Sequence, residues 1–304
     1  MYGILSSDLA VNALLAGLAA SVACGVVGSY VTVRKITYIA GAIAHCTLGG
    51  MGLAYYLKKV HGISWMTPLM GALFAALLAA LLVGLVTIYW SRRVDTVLSA
   101  VWSVGMAVGI LFIHKTPGYT SDLMSYLFGD ITMITRARGP FSIAQIFSDD
   151  LYLILLLDLV VLGFSVLFYN KLLAVCFDEE FAGLSGVRVR LYYMLLMILT
   201  ALTVVLLTQV VGIVMVIALL ALPAAAAGVF SRRLWQMMLL ACLLCAVSTA
   251  GGQIIAYGPG LPPGPVIILL SAALYGLALA IRRLWMALRS SSGEQQVTAS
   301  RGSE

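Results

Sequence analysis

Long apolar runs separated by short polar breaks dominate the chain. Nine stand out, at roughly 9–33, 37–57, 66–90, 96–114, 150–170, 190–209, 211–230, 234–256 and 265–285. A helix needs ~20 apolar residues to cross the hydrocarbon core of a bilayer. The pattern therefore predicts an all-α, polytopic integral membrane protein of 8–9 spans. Residues 190–230 are too long for one span: forty residues of helix would reach ~60 Å, against a core of ~30 Å. The chain must turn or break near Gln209-Val210-Val211-Gly212. Two stretches are not spans. Thr116 to Ser148 holds Pro117-Gly118, Gly129-Asp130 and a short amphipathic piece, Leu123 to Phe128, expected at the outer membrane surface. Cys176 to Arg190 opens on Asp178, Glu179 and Glu180 and closes on small residues. That order suits a short surface helix, with acids at its positive N-terminal end.

Charge orients the spans. With the N-terminus outside, Arg34, Lys35, Arg92, Arg93, Lys171, Arg188, Arg190, Arg232, Arg233, Arg282, Arg283, Arg289 and Arg301 fall on the cytoplasmic side, thirteen in all. Lys58, Lys59, Lys115, Arg136 and Arg138 fall outside. Basic residues favour the cytoplasmic face, so the split predicts N-out and, for an odd number of helices, C-in. The net charge of +6 is spent at helix ends and is not a nucleic-acid patch. Of 304 residues, 62% are hydrophobic and 10% charged, where soluble domains carry about 25% charged. Residues 1–289 read as one transmembrane domain and 290–304 as a disordered polar tail without a role in transport. Met1 to Asp8 has no basic n-region, so the first run is expected to be a retained helix.

His45 is the candidate for chemistry. It lies within an apolar helix with no charged residue beside it. An ionisable group at that depth costs at least ~2.5 kcal/mol on insertion scales and marks a pathway or a partner. Two readings stand: a metal contact in a translocation path, or a histidine bonded to a neighbouring helix's carbonyl. Gly41 and Gly49, one turn either side, leave room for a ligand or a close helix. Cys46 points about 100° away, so the two are not an obvious chelate. Asp158, mid-run, is either a second path ligand or a neutral or satisfied carboxyl. His61 and His114 sit at helix ends and read as solvated. Cys24, Cys46, Cys176, Cys242 and Cys245 read as small buried residues, the Cys242-x-x-Cys245 pair lacking a redox-fold context. Gly105-x-x-x-Gly109 and the Gly71, Ala75, Ala79 series are packing faces, either of a dimer or within one subunit.

Five stretches in order resemble the permease subunits of bacterial zinc and manganese importers of the ABC type. They are Gly25 to Leu57, with Ala40-Gly41-Ala42-Ile43-Ala44-His45; Ser125 to Ile131; Phe177 to Val187; Val211-Gly212 through Ala225; and Gly251 to Gly264. The resemblance implies a type II importer-like permease fold and a homodimer with a central path for zinc, manganese or iron. It implies a coupling helix at about 177–187 (Asp178, Glu179, Glu180, Phe181, Ala182, Gly183, Gly186) docking on a separate ATP-binding subunit. It implies an extracytoplasmic metal-binding protein, a bacterial plasma-membrane location, and no permanently bound cofactor. His45 matches the family's path histidine. The family's carboxylate one turn earlier is Gly41 here, so Asp158 or another helix is expected to supply the missing oxygen. ATP chemistry belongs to the partner, because this chain has no G-x-x-x-x-G-K-[ST] loop.

Rival readings differ in what they require. A permease for a siderophore or corrinoid chelate would not need a path histidine. A secondary transporter would need coupling carboxylates and often repeats, and one mid-membrane acid is present. An intramembrane hydrolase would need a nucleophile within reach of a base.

Overall fold

A computed structural model describes residues 8–63, 65–116 and 149–301. Every regular element among them is helical: α1 (Asp8–Val33), α2 (Thr37–Val60), α3 (Pro68–Tyr89), a 3-10 turn (Ser91–Arg93), α4 (Val94–Lys115), α5 (Asp149–Leu167), α6 (Tyr169–Phe177), α7 (Glu179–Leu184), α8 (Val189–Val211), α9 (Ile213–Phe230), α10 (Leu234–Tyr257) and α11 (Pro263–Arg301). Seven are long and apolar enough to cross a membrane, or eight if the bent α5–α6 pair forms one span. α2 stays out of that set because His45, its glycines and the lysines near its end dilute its hydropathy. It is nonetheless 24 residues long with fourteen of them buried, and with it the set matches the nine apolar runs. The expected surface piece Leu123 to Phe128, and the motif Ser125 to Ile131, lie outside the described residues. α11 runs from Pro263 to Arg301.

Two groups of helices make the bundle. α2 is clasped by α3 and α4, while α1 packs on α10, α9 and α5, and α8 joins the groups by lying against α3 and α2. Glycines set the first group's spacing. A Cβ on Gly50 would meet the Gly71 carbonyl, and one on Gly71 the Gly50 carbonyl. Across the other face, a Cβ on Gly109 would sit 2.6 Å from the Leu48 carbonyl, and one on Gly49 2.6 Å from that of Gly105. The small-residue motifs therefore serve close crossings within one subunit, the packing use of such residues in membranes.

The long block breaks where the sequence requires. α8 ends at Val211, Gly212 takes φ 88° and ψ 155°, and α9 starts at Ile213. That backbone region is open essentially only to glycine. Within α9, Pro223 has no N–H for the Leu219 carbonyl. The Cys245 thiol of α10 donates to that oxygen at 3.3 Å. Cys245 thus answers a proline on the neighbouring helix. Cys242 likewise donates to the Val22 carbonyl at 3.6 Å.

The run 150–170 differs from its simple reading. The chain bends by 75° between α5 and α6. Leu172, Val175 and Cys176 form an i, i+3, i+4 stripe and are buried, so after the bend α6 turns one apolar face inward. Lys171 rests over the Tyr192 ring at 5.5 Å.

Candidate functional site

α2 enters the bundle from a tight hairpin. The Lys35 N–H bonds the Thr32 carbonyl at 3.1 Å and the Ile36 N–H that of Val31 at 2.9 Å. This is the paired bonding of a Schellman turn. Lys35 holds the left-handed position at φ 60°, where a residue other than glycine is disfavoured by roughly 1–2 kcal/mol. Nine residues beyond Ile36, about 13 Å along the axis, α2 presents His45.

The His45 side chain is 7% exposed. Its ring stacks on Trp102 of α4, centroids 4.4 Å apart and planes 24° apart. Its Nδ1 lies 3.2 Å from Sδ of Met106, one turn further along α4. Neither partner is a backbone carbonyl, and among the described residues no hydrogen bond joins the His45 ring to one. The space beside Gly41 is filled: a Cβ there would be 3.0 Å from the Trp102 indole. Trp102 also closes one side of a cavity of about 390 Å³ lined by Tyr38, Asp95, Leu98, Ser99 and Ser103. The indole thus stands between His45 and a pocket rich in oxygen donors. Cys46 turns away, its thiol donating to the Ala75 carbonyl of α3 at 3.7 Å. It lines a separate apolar cavity of about 410 Å³ between α2, α3 and α4.

Asp158 is not beside His45. It is 7% exposed on α5. Its Oδ1 has no hydrogen-bond partner among the described residues. α5 packs chiefly on α1 and α8, and among the described residues no hydrogen bond or ion pair links Asp158 to His45. No group of three His, Cys, Asp or Glu side chains among the described residues could by itself hold a metal ion. His61 sits at the far end of α2, edge-on to Tyr56 at 5.9 Å.

The second part of the site is α7. The Asp178 carboxylate caps it, accepting the Phe181 N–H at 3.0 Å, as a helix N-cap does. Glu179 and Glu180 fill its first turn. Gly186, φ 79°, turns the chain away. Ala182 is buried, whereas Phe181 is 63% and Leu184 89% exposed. The six-residue helix thus carries an exposed apolar tip at the bundle end. Glu179 forms an ion pair with Arg34 of the α1–α2 hairpin. The Arg34 guanidinium also lies 5.4 Å over the Tyr193 ring of α8. Arg190 lies over the Tyr89 ring at 5.6 Å. These contacts gather Arg34, Lys171, Arg190 and α7 on one face.

Trp102, Met106 and the Arg34–Glu179 pair are not legible in the sequence. Met106 is 61 residues from His45, and neither it nor Trp102 forms a local pattern with it. Arg34 and Glu179 read only as basic and acidic ends assigned to the same side.

Comparison with known proteins gives concordant matches. A model of the ABC 3 transport family matches residues 6–282. A Chlamydia trachomatis protein named "Probable metal transport system membrane protein" is 36% identical over 274 residues, 90% of this chain and 89% of that one. The "Manganese import system permease protein ScaB" of Streptococcus parasanguinis is 30% identical over 270 residues, 89% of each chain. Among solved structures, "PsaBC from Streptococcus pneumoniae in complex with Fab" matches with a TM-score of 0.75 at 26% identity, over 91% of this chain and 92% of that one.

Proposed function

Because the chain belongs to the ABC 3 transport family, we propose that it is the membrane-spanning permease subunit of an ATP-driven importer of divalent transition-metal ions, zinc, manganese or iron. The observation that carries this reading is a connected line through the fold. It runs from the exposed tip of α7, through the Glu179–Arg34 ion pair, into the hairpin that leads α2 to buried His45. The names of relatives that concern metal and manganese agree with it.

In this mechanism a separate cytoplasmic ATP-binding subunit docks on α7 and supplies the hydrolysis. An extracytoplasmic metal-binding protein delivers the ion. A second copy of the chain faces the uncovered side of α4, where Val104 and Leu111 are exposed, and the path runs between the copies past His45. Rocking of the two halves opens the path outward and then inward. The cation leaves His45 toward the cavity holding Asp95, Ser99 and Ser103 once Trp102 moves aside. The N-terminus lies outside and the C-terminus in the cytoplasm, with the basic face and α7 toward the plasma membrane's inner side. The gathering of basic ends around α7 supports that orientation.

The test is metal content. The chain is expressed with its ATP-binding and capture partners in a host lacking zinc and manganese uptake, and cell zinc, manganese and iron are measured by mass spectrometry. A rise in one of them that needs a hydrolysing ATP-binding subunit is expected. No rise from an inserted, ATP-hydrolysing complex gives the chelate permease the better claim. In the same assay Asp158→Asn is expected to keep uptake within about 2-fold of wild type, since residues without shared partners couple only weakly, by about 0.3–0.5 kcal/mol, and α5 packs on α1 and α8. A collapse of uptake at normal protein level would instead make Asp158 a path ligand.

A further inference from the structure

The donors around His45 carry a statement about which cation passes. It rests on His45 being the cargo contact. We propose that Met106 is the second ligand of the path cation, and that the His45–Met106 pair favours zinc over manganese.

The geometry comes first. Nδ1 of His45 and Sδ of Met106 are 3.2 Å apart. Zinc bonds an imidazole nitrogen at ~2.0–2.1 Å and a thiolate sulfur at ~2.3 Å, and a neutral thioether binds somewhat further out than a thiolate. Two donors 3.2 Å apart can therefore meet on one such ion at close to a right angle. The flanking position offers no competing donor. Gly41 has no side chain, and the indole of Trp102 occupies the space beside it. Cys46 is directed to the Ala75 carbonyl, and Asp158 is on α5, which packs on α1 and α8. Among the described residues, the inner set from one subunit is thus one imidazole and one thioether.

The chemistry follows from that set. Carboxylate, carbonyl and water suit manganese, whereas imidazole suits zinc, and thioether is a soft ligand. The general order of affinities also rises from manganese toward zinc. Across a twofold axis the same pair from a second copy would complete a four-donor N₂S₂ set, the coordination number that zinc takes. Both donors are neutral, so the bound cation keeps its full charge in a low-dielectric path. That keeps the hold weak enough for passage, as conduction requires. The oxygen donors lie on the other side of Trp102, at Asp95, Ser99 and Ser103, where an ion released from a soft pair would next be hydrated or coordinated.

The experiment uses the full complex with its ATP-binding and capture partners. Cells are supplied with zinc and manganese at equal concentration, and uptake of both is measured for wild type, His45→Ala and Met106→Leu. Leucine keeps most of the side-chain volume and removes the sulfur. Met106→Leu is expected to lower the zinc-to-manganese uptake ratio by about tenfold, the scale of losing one partner at a metal site. An unchanged ratio, with His45→Ala inactive, overturns the pair as a selector and leaves the importer reading standing. A silent His45→Ala removes the reading beneath it. Should Met106→Leu fail to accumulate, zinc K-edge absorption on the purified wild-type membrane complex decides. A sulfur shell somewhat beyond the ~2.3 Å of a zinc–thiolate bond is expected; a shell of nitrogen and oxygen alone overturns the proposal.

Discussion

Replacing His45 with alanine is expected to lower metal accumulation by at least ~10–100-fold, because even an outer partner of a metal ligand brings a loss of that size. The complex should remain in the membrane and still hydrolyse ATP. The argument starts from insertion. A polar ring within a spanning helix is costly to keep, and here it is not offset by a backbone carbonyl. Its neighbours are a thioether and an indole face. A thioether is a weak acceptor, so the ring is poorly compensated for a role in stability alone. Removing it leaves Trp102 and Met106 with fewer contacts, a defect that protein level and detergent-extracted stability would register separately. The measurement is zinc, manganese and iron per cell by mass spectrometry, normalised to membrane-inserted protein. Full uptake by His45→Ala would sink the metal-path mechanism, since a chelated cargo needs no imidazole on its way.

How much of this was readable from residues alone depends on range. The helices were legible because a bilayer demands a local signal, ~20 apolar residues in a row. The break at Gly212 followed from length alone. The surface helix after Asp178 was readable because acids gather at the positive N-terminal end of a helix, a local signal. His45 announced itself as an isolated polar residue. What it touches did not, because α4 is brought to α2 by glycines such as Gly105 and Gly109, and pairing of helices is not encoded in either helix's pattern. The same limit applies to the expectation about oxygen. Asp158 shares the depth of a buried residue with His45, but its helix packs on α1 and α8. The Gly41 position, read as a lost ligand, turns out to be space occupied by Trp102. Cys245 shows the reverse case. Its spacing to Cys242 suggested nothing useful, while its partner, the carbonyl freed by Pro223, is on another helix.

Breaking the Arg34–Glu179 pair is expected to separate ATP hydrolysis from transport. Arg34→Ala and Glu179→Gln should each keep at least half of the ATPase activity, while metal moved per ATP falls by roughly 5-fold or more, the lower end of usual intersite coupling. The pair is partly exposed, with relative side-chain exposures of 22% and 47%. Ion pairs of that kind stabilise folds by only ~0–1 kcal/mol, so unfolding is not the expected result. Its place matters more than its strength. Arg34 is the last residue before the left-handed Lys35, in a hairpin whose two crossed backbone bonds leave little slack. A push on α7 that reaches Arg34 therefore moves the start of α2 as a body, and His45 with it. Tyr193 holds the other side of the same guanidinium at 5.4 Å, tying α8 into the motion. The check is transport and ATP turnover measured together in proteoliposomes. The charge exchange, Arg34→Glu with Glu179→Arg, should recover much of the lost coupling. Coupling that stays intact in both single variants, or a swap no better than either, would mean that the stroke reaches α2 by another route.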